Sequence, residues 1–279
     1  MFPRVRPAFV APRAPLSQLT VTWVGHSSLL IQLDGLNILT DPMWGERASP
    51  VRFAGPRRWV PPGIAFEDLP ALDVILESHN HYDHLDAGTV RRLARTHPQA
   101  SWIVPVGLAS FVQKRGARAD AVTELDWWGE RTIGPIRITA TPAQHFSSRG
   151  IGDRGDTLWC GYALAGANGR RVYFAGDTGY HPEFASIGER CGPFDVALMP
   201  IGAYEPRWFM RYLHMNPEEA VAAFRALKAR VMVPIHWGTF KLTDEAMDEP
   251  PIRARAAWAA AGLAPSGYRQ LAHGETLTL

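Results

Sequence analysis

Cysteine is nearly absent: Cys160 and Cys191 are the only 2 in 279 residues, and they form neither a C-x-x-C pair nor a disulfide framework. Both read as small core residues, and their scarcity suits a reducing compartment. Charge of one sign is lacking too. With 29 Lys and Arg against 27 Asp and Glu the net charge is +2, too balanced to argue for a nucleic-acid partner by bulk electrostatics. No apolar run approaches the roughly 18 residues that a bilayer span needs, and residues 1–7 have no continuous apolar core of a signal peptide. The expectation is a cytoplasmic protein, peripheral at a membrane surface at most. No low-complexity linker divides the chain, so one domain over 20–279 is expected. Residues 1–19 carry Arg4, Arg6, Arg13, four prolines and no acid, and read as a loose arm or a contact for anionic lipid.

What the sequence does hold is concentrated in Ser78-His79-Asn80-His81-Tyr82-Asp83-His84-Leu85-Asp86. The apolar run Val74-Ile75-Leu76 before it reads as a buried strand, and Asp86 to Val90 after it as a helix start. Imidazoles and a carboxylate on a strand-to-helix loop are zinc ligands at the end of a rigid sheet. Four of them within six residues exceed what one catalytic zinc takes. Two metals fit better, His79 and His81 serving one and Asp83 and His84 the other. Three further candidates each follow a strand-like run: His145, Asp177 and His236. One sheet edge could gather all seven.

Elsewhere, strands are expected at 20–24, 28–33, 37–40, 102–106, 122–125, 136–140, 171–174, 196–200 and 230–235. Helices are expected at 89–95, 108–116, 217–230 and 251–261, the third opened by Asn216 as N-cap with Pro217 and two acids in its first turn. The tail from Tyr268 is left without an element. Alternation of strand and helix, broken by a strand-rich block from 122 to 177, fits an α/β protein with two sheets packed face to face and helices outside. Asp41, before Pro42, reads as a turn-initiating residue, and His26 and His273 as structural histidines, with a contact to the metal site the lesser reading for His26.

The segment from His79 to His84, followed by His145, Asp177 and His236, resembles the metallo-β-lactamase superfamily. Longer strings are similar to the phospholipases D that hydrolyse N-acylphosphatidylethanolamine: Ser78 to Asp86, Glu124 to Trp128, Phe174 to Tyr180, Pro200 to Met210 and Ile235 to Phe240. The resemblance implies a four-layer αββα sandwich and two zinc ions, His79, His81 and His145 on one, Asp83, His84 and His236 on the other, with Asp177 bridging. It implies attack on phosphorus by a hydroxide shared between the metals, with Asp83, Asp177 and His214 as catalytic residues, giving phosphatidic acid and an N-acylethanolamine. A homodimer is a further implication.

Two stretches could meet such a substrate. Residues 43–64 place Trp44, Arg47, Arg52, Phe53, Arg57, Arg58 and Trp59 among glycines and prolines. In 205–214, Arg207 and Arg211 could contact phosphate, Trp208 the acyl chains, and His214 a substrate oxygen. The alternatives are a relative with a soluble substrate, such as a lactonase for a phosphorylated sugar acid or a small cyclic phosphodiesterase, and a metal-binding protein without turnover.

Overall fold

Strands buried on both faces need apolar residues at nearly every position, and the second strand of the computed structural model, which describes residues 2–279, displays the consequence. In β2 (Ser28–Leu33), following β1 (Thr20–Gly25), Leu29, Ile31 and Leu33 enter one core while Leu30 enters another. The next strands divide likewise. They are β3 (Leu36–Thr40), β4 (Val74–Leu76), β5 (Ser101–Pro105) and β6 (Val122–Leu125). With β13 (Thr276–Thr278) they form a seven-stranded sheet of order β13-β1-β2-β3-β4-β5-β6, parallel from β3 to β6.

The second sheet takes β7 (Glu130–Ile133), β8 (Ile136–Thr141), β9 (Gly161–Gly166), β10 (Arg171–Phe174), β11 (Val196–Pro200) and β12 (Val231–Ile235), ordered β12-β11-β10-β9-β8-β7. Inward residues of both sheets, among them Ile31, Leu76, Ile138 and Leu164, share one core. That core continues under α3 (Glu183–Arg190), α5 (Pro217–Ala226) and α6 (Glu249–Ala260). The other lies between the first sheet and α1 (Ala87–Thr96) and α2 (Ala109–Gln113). A helical turn, α4 (Arg207–Met210), sits in the loop after β11. The result is the αββα sandwich. No helix among the described residues is long and apolar enough to cross a membrane.

Several boundaries differ from the sequence reading. The helix expected to reach 230 ends at Ala226, because Lys228 takes a left-handed backbone (φ 57°) and the Ala229 amide donates back to the Phe224 carbonyl. The tail contains β13, whose Thr276, Leu277 and Thr278 pair with β1. The strand β7 is unmarked in the sequence because it is a largely exposed, polar edge, and the strand β9 because its glycines and alanines carry little β signal. Nor is the arm loose: Val5 donates to the His273 carbonyl, Val10 to the Gln32 side chain, and Arg13 ion-pairs with Asp73.

Candidate metal centre

The C-terminal ends of β4, β8, β10 and β12 open on one rim, and each is followed by ligand-type residues: 79–84, His145, Asp177 and His236. Two backbone contortions bring the last two in. Gly176 has φ 61°, and a Cβ there would lie 2.7 Å from the Ser78 Cβ. His236 is itself left-handed (φ 62°), with its carbonyl so close to Gly202 that a Cβ on that glycine would sit 2.1 Å from it.

Hydrogen bonds behind the rings settle which nitrogen faces inward. The Ser78 hydroxyl donates to Asp41 Oδ2 (2.6 Å) and therefore accepts from His79 Nδ1–H (2.9 Å), leaving the Nε2 lone pair for the centre. His145 Nδ1–H donates to the Leu213 carbonyl (2.9 Å) and His84 Nδ1–H to Asp41 (2.6 Å). His79 Nε2 and His145 Nε2 both approach His81 Nδ1, at 2.9 and 3.1 Å. Burial, with the neighbouring imidazoles adding to it, pushes the His79 and His145 pKa values well below the usual range. A proton on His81 Nδ1 can satisfy one of these two lone pairs, whereas a cation among the three nitrogens satisfies them all. That is the first pocket.

The second pocket is carboxylate-rich. Asp177 Oδ2 lies 3.0 Å from His84 Nε2 and 3.1 Å from His236 Nε2, and 3.9, 3.9 and 4.0 Å from His79 Nε2, His145 Nε2 and His214 Nδ1. One oxygen thus stands between both groups of rings. Asp83 Oδ2 lies 3.3 Å from His84 Nε2 and 3.4 Å from His236 Nε2. Burial alone would raise both carboxyls, but the surrounding imidazoles outweigh it and hold them well below the ordinary range. Against the same burial, Asp177 drives the His236 pKa up to about 9. Such carboxylates require positive charge beside them, as protons on His84 and His236 or as metal ions. Four buried side chains leave polar atoms without a hydrogen-bond partner here: His84 Nε2, both His236 nitrogens, Asp177 Oδ1 and His214 Nδ1. Orphaned donors and acceptors, converging lone pairs and imidazole–carboxylate chemistry all fit divalent cations.

Two side chains expected to be structural instead bond directly to the His/Asp cluster. Asp41 is not a simple turn residue: fully buried, it accepts from the Ser78 amide, the Ser78 hydroxyl and His84 Nδ1, and so aims two ligands. His26, with its pKa pushed down to about 3 by burial and then by His236, donates from Nε2 to Asp83 Oδ2 (2.8 Å) and packs on His236 at 3.9 Å. His273, by contrast, is structural, bonded to Thr239 beneath Trp23.

The substrate-binding expectations divide. His214 is buried, its pKa lowered to about 4 by burial, and it faces Asp177. Arg207 does not reach toward the pocket: its guanidinium grips Glu219 (2.8 Å) and the His214 carbonyl (2.8 Å), making it the residue that holds His214 in place. Trp208 is 79% exposed, and Arg211 lies over Tyr212 without an ion pair. Arg149 escaped the sequence reading, having no motif to mark it. It donates to the carbonyls of Asn80 and Leu85, lies over the Tyr82 ring, and braces the ligand loop from behind.

A family model described as a beta-lactamase superfamily domain matches residues 36–237. The chain is 48% identical over 244 residues to N-acyl-phosphatidylethanolamine-hydrolyzing phospholipase D 1 of Caenorhabditis elegans, covering 84% of this chain and 68% of that protein. It is 37% identical over 235 residues to the mitochondrial N-acyl-phosphatidylethanolamine-hydrolyzing phospholipase D of Saccharomyces cerevisiae, covering 82% of this chain and 49% of that one. The chain therefore spans about half of the yeast protein's length. Igni18, a metallo hydrolase from Ignicoccus hospitalis, superposes with a TM-score of 0.69 at 26% identity, over 94% of this chain and 98% of its own.

Proposed function

The chain belongs to the beta-lactamase superfamily, and from that premise we propose that it is a phosphodiesterase of phospholipase D type, cleaving N-acylphosphatidylethanolamine or a related glycerophospholipid into phosphatidic acid and an N-acylethanolamine. The observation that carries the reading is Asp177 Oδ2 standing within 4.0 Å of five imidazole nitrogens, between a three-histidine pocket and a carboxylate pocket. Two divalent cations, zinc for so histidine-rich a set, are proposed: His79, His81 and His145 hold one, Asp83, His84 and His236 the other, with Asp177 shared. When bound, such a pair supplies Lewis acidity toward phosphoryl oxygens and lowers the pKa of water to about 7.

The chain's own residues do the rest. Asp83 and Asp177 set the charge of the pocket, and Asp41 and His26 keep His84 and Asp83 aimed into it. His214, neutral because of its burial, donates its single N–H to a substrate oxygen as a hydrogen-bond partner and not as a general acid. Trp208, Phe209 and Tyr212 are exposed in the loop after β11, and Phe53 and Trp59 in the loop after β3, apolar surface suited to acyl chains. The test is a product assay with metal-loaded protein on N-acylphosphatidylethanolamine, the parent phospholipid and a lactone panel. Release of N-acylethanolamine is the expected result. Turnover of lactones alone would replace this reading with the soluble-substrate one.

A further inference from the structure

A cavity of about 630 Å³ adjoins the ligand loop, and none of the seven ligands lines it. Its wall holds five guanidiniums, Arg47, Arg52, Arg91, Arg115 and Arg149, together with Tyr82. Two carboxylates also face it, but both are engaged. Glu46 is ion-paired with Arg57 at 2.7 Å, and the Asp86 side chain caps α1, accepting from the amide and hydroxyl of Thr89. Three of the arginines use one Nη each on backbone carbonyls, Arg47 on Gly55, Arg115 on Phe111 and Arg149 on the ligand loop. Among the described residues, the other two, Arg52 and Arg91, make no side-chain hydrogen bond or ion pair, and Arg115 Nε is buried with none. Like charges gathered around one space repel. After burial, Arg91 is what most depresses the Arg115 pKa, and Arg115 is a further cation acting on the partly buried Arg149.

We propose that this cavity is a second anion site, built for a phosphomonoester dianion and separate from the metal centre. A guanidinium presents paired N–H groups that match phosphate oxygens, and two negative charges offset the mutual repulsion better than one. The volume suits a small ligand or a lipid headgroup. The site is also wired to the ligand loop. Arg149 donates to the carbonyls of Asn80 and Leu85, and its own carbonyl accepts from the Tyr82 hydroxyl at 2.7 Å, so an anion held by Arg149 acts on a side chain bonded to Asn80, the residue between His79 and His81.

The experiment titrates inorganic phosphate and glycerol 3-phosphate into the metal-loaded full chain by calorimetry. Wild type, Arg91→Ala, the Arg91→Gln/Arg115→Gln pair and Asp177→Asn are compared, with circular dichroism verifying the fold of each. Phosphate can also meet the metals, so the variants separate the two sites. The expected result is a saturable event that survives Asp177→Asn and weakens at least tenfold in the arginine pair. The exposed Arg91→Ala gives an intermediate loss and guards against misfolding of the pair. Co-sedimentation with phosphatidylcholine vesicles, with and without phosphatidic acid, then tells a membrane-borne phosphate from a free one. Capture that depends on phosphatidic acid and on Arg91 assigns the lipid, and binding of the soluble esters alone assigns the free ligand. Equal phosphate affinity in wild type and folded arginine variants, with no vesicle capture, overturns the proposal. Because the readout is binding, a failure to hydrolyse lipid leaves it untouched.

Discussion

His84 illustrates how much of the centre rests on single side chains that touch no substrate. Its Nδ1–H is held by Asp41, and the same carboxylate takes the Ser78 amide and hydroxyl, so one residue aims His84 directly and His79 through the serine. Asp41→Asn keeps the shape but loses the charge and one acceptor oxygen, and is expected to weaken metal affinity by about 10–100-fold. Zinc competition against a chromophoric chelator measures it, and an affinity unchanged from wild type would remove Asp41 from the centre. Nothing near Asp41 in the sequence announces this role. An aspartate before proline looks like a turn, and only the parallel pairing of Thr40 with Leu76 sets it beside Ser78. The convergence of the seven proposed ligands was legible because each follows a strand, and residues placed at strand ends need no knowledge of strand order.

At the scale of elements, the loop after β11 and the helix α5 form one device. Glu219 closes the capping box with Asn216 and also holds Arg207, which in turn grips the His214 carbonyl. The Leu213 carbonyl next to it fixes His145. Removing the cap alone, Asn216→Ala, should cost about 1 kcal/mol of stability with little change in turnover. Glu219→Ala should cost more and lower turnover too, because it also frees Arg207. Urea melts and initial rates on both variants check the contrast; equal loss of turnover in the two removes the link. The cap was readable from Asn216, Pro217 and the two glutamates. The ion pair was not, since Arg207 could as well have pointed at phosphate. What turned it aside is the approach of a helix whose position depends on the whole second sheet.

Across the whole molecule, the two layers were legible, but the strands β7, β9 and β13 were not. Runs buried on both faces, such as β2 and β4, mark themselves, whereas the exposed strand β7 and the short strand β13 are defined by their partners rather than by their own residues. Mutual repulsion among the carboxylates and among the imidazoles also has a global consequence. Stripping metal with a chelator should lower Tm by several degrees, and added zinc should restore it, since a ligand that binds only the folded state stabilises it by mass action. A thermal melt unmoved by chelator in protein that demonstrably contained metal would contradict this.

The proposed ligands come from both sheets: His79, His81, Asp83 and His84 follow β4 of the first, while His145, Asp177 and His236 follow strands of the second. Each proposed ion is therefore a rivet through the seam of the sandwich. A split of the chain between β6 and β7 would leave neither fragment with a complete coordination sphere, and tight metal uptake becomes a sign that the two halves have met in register.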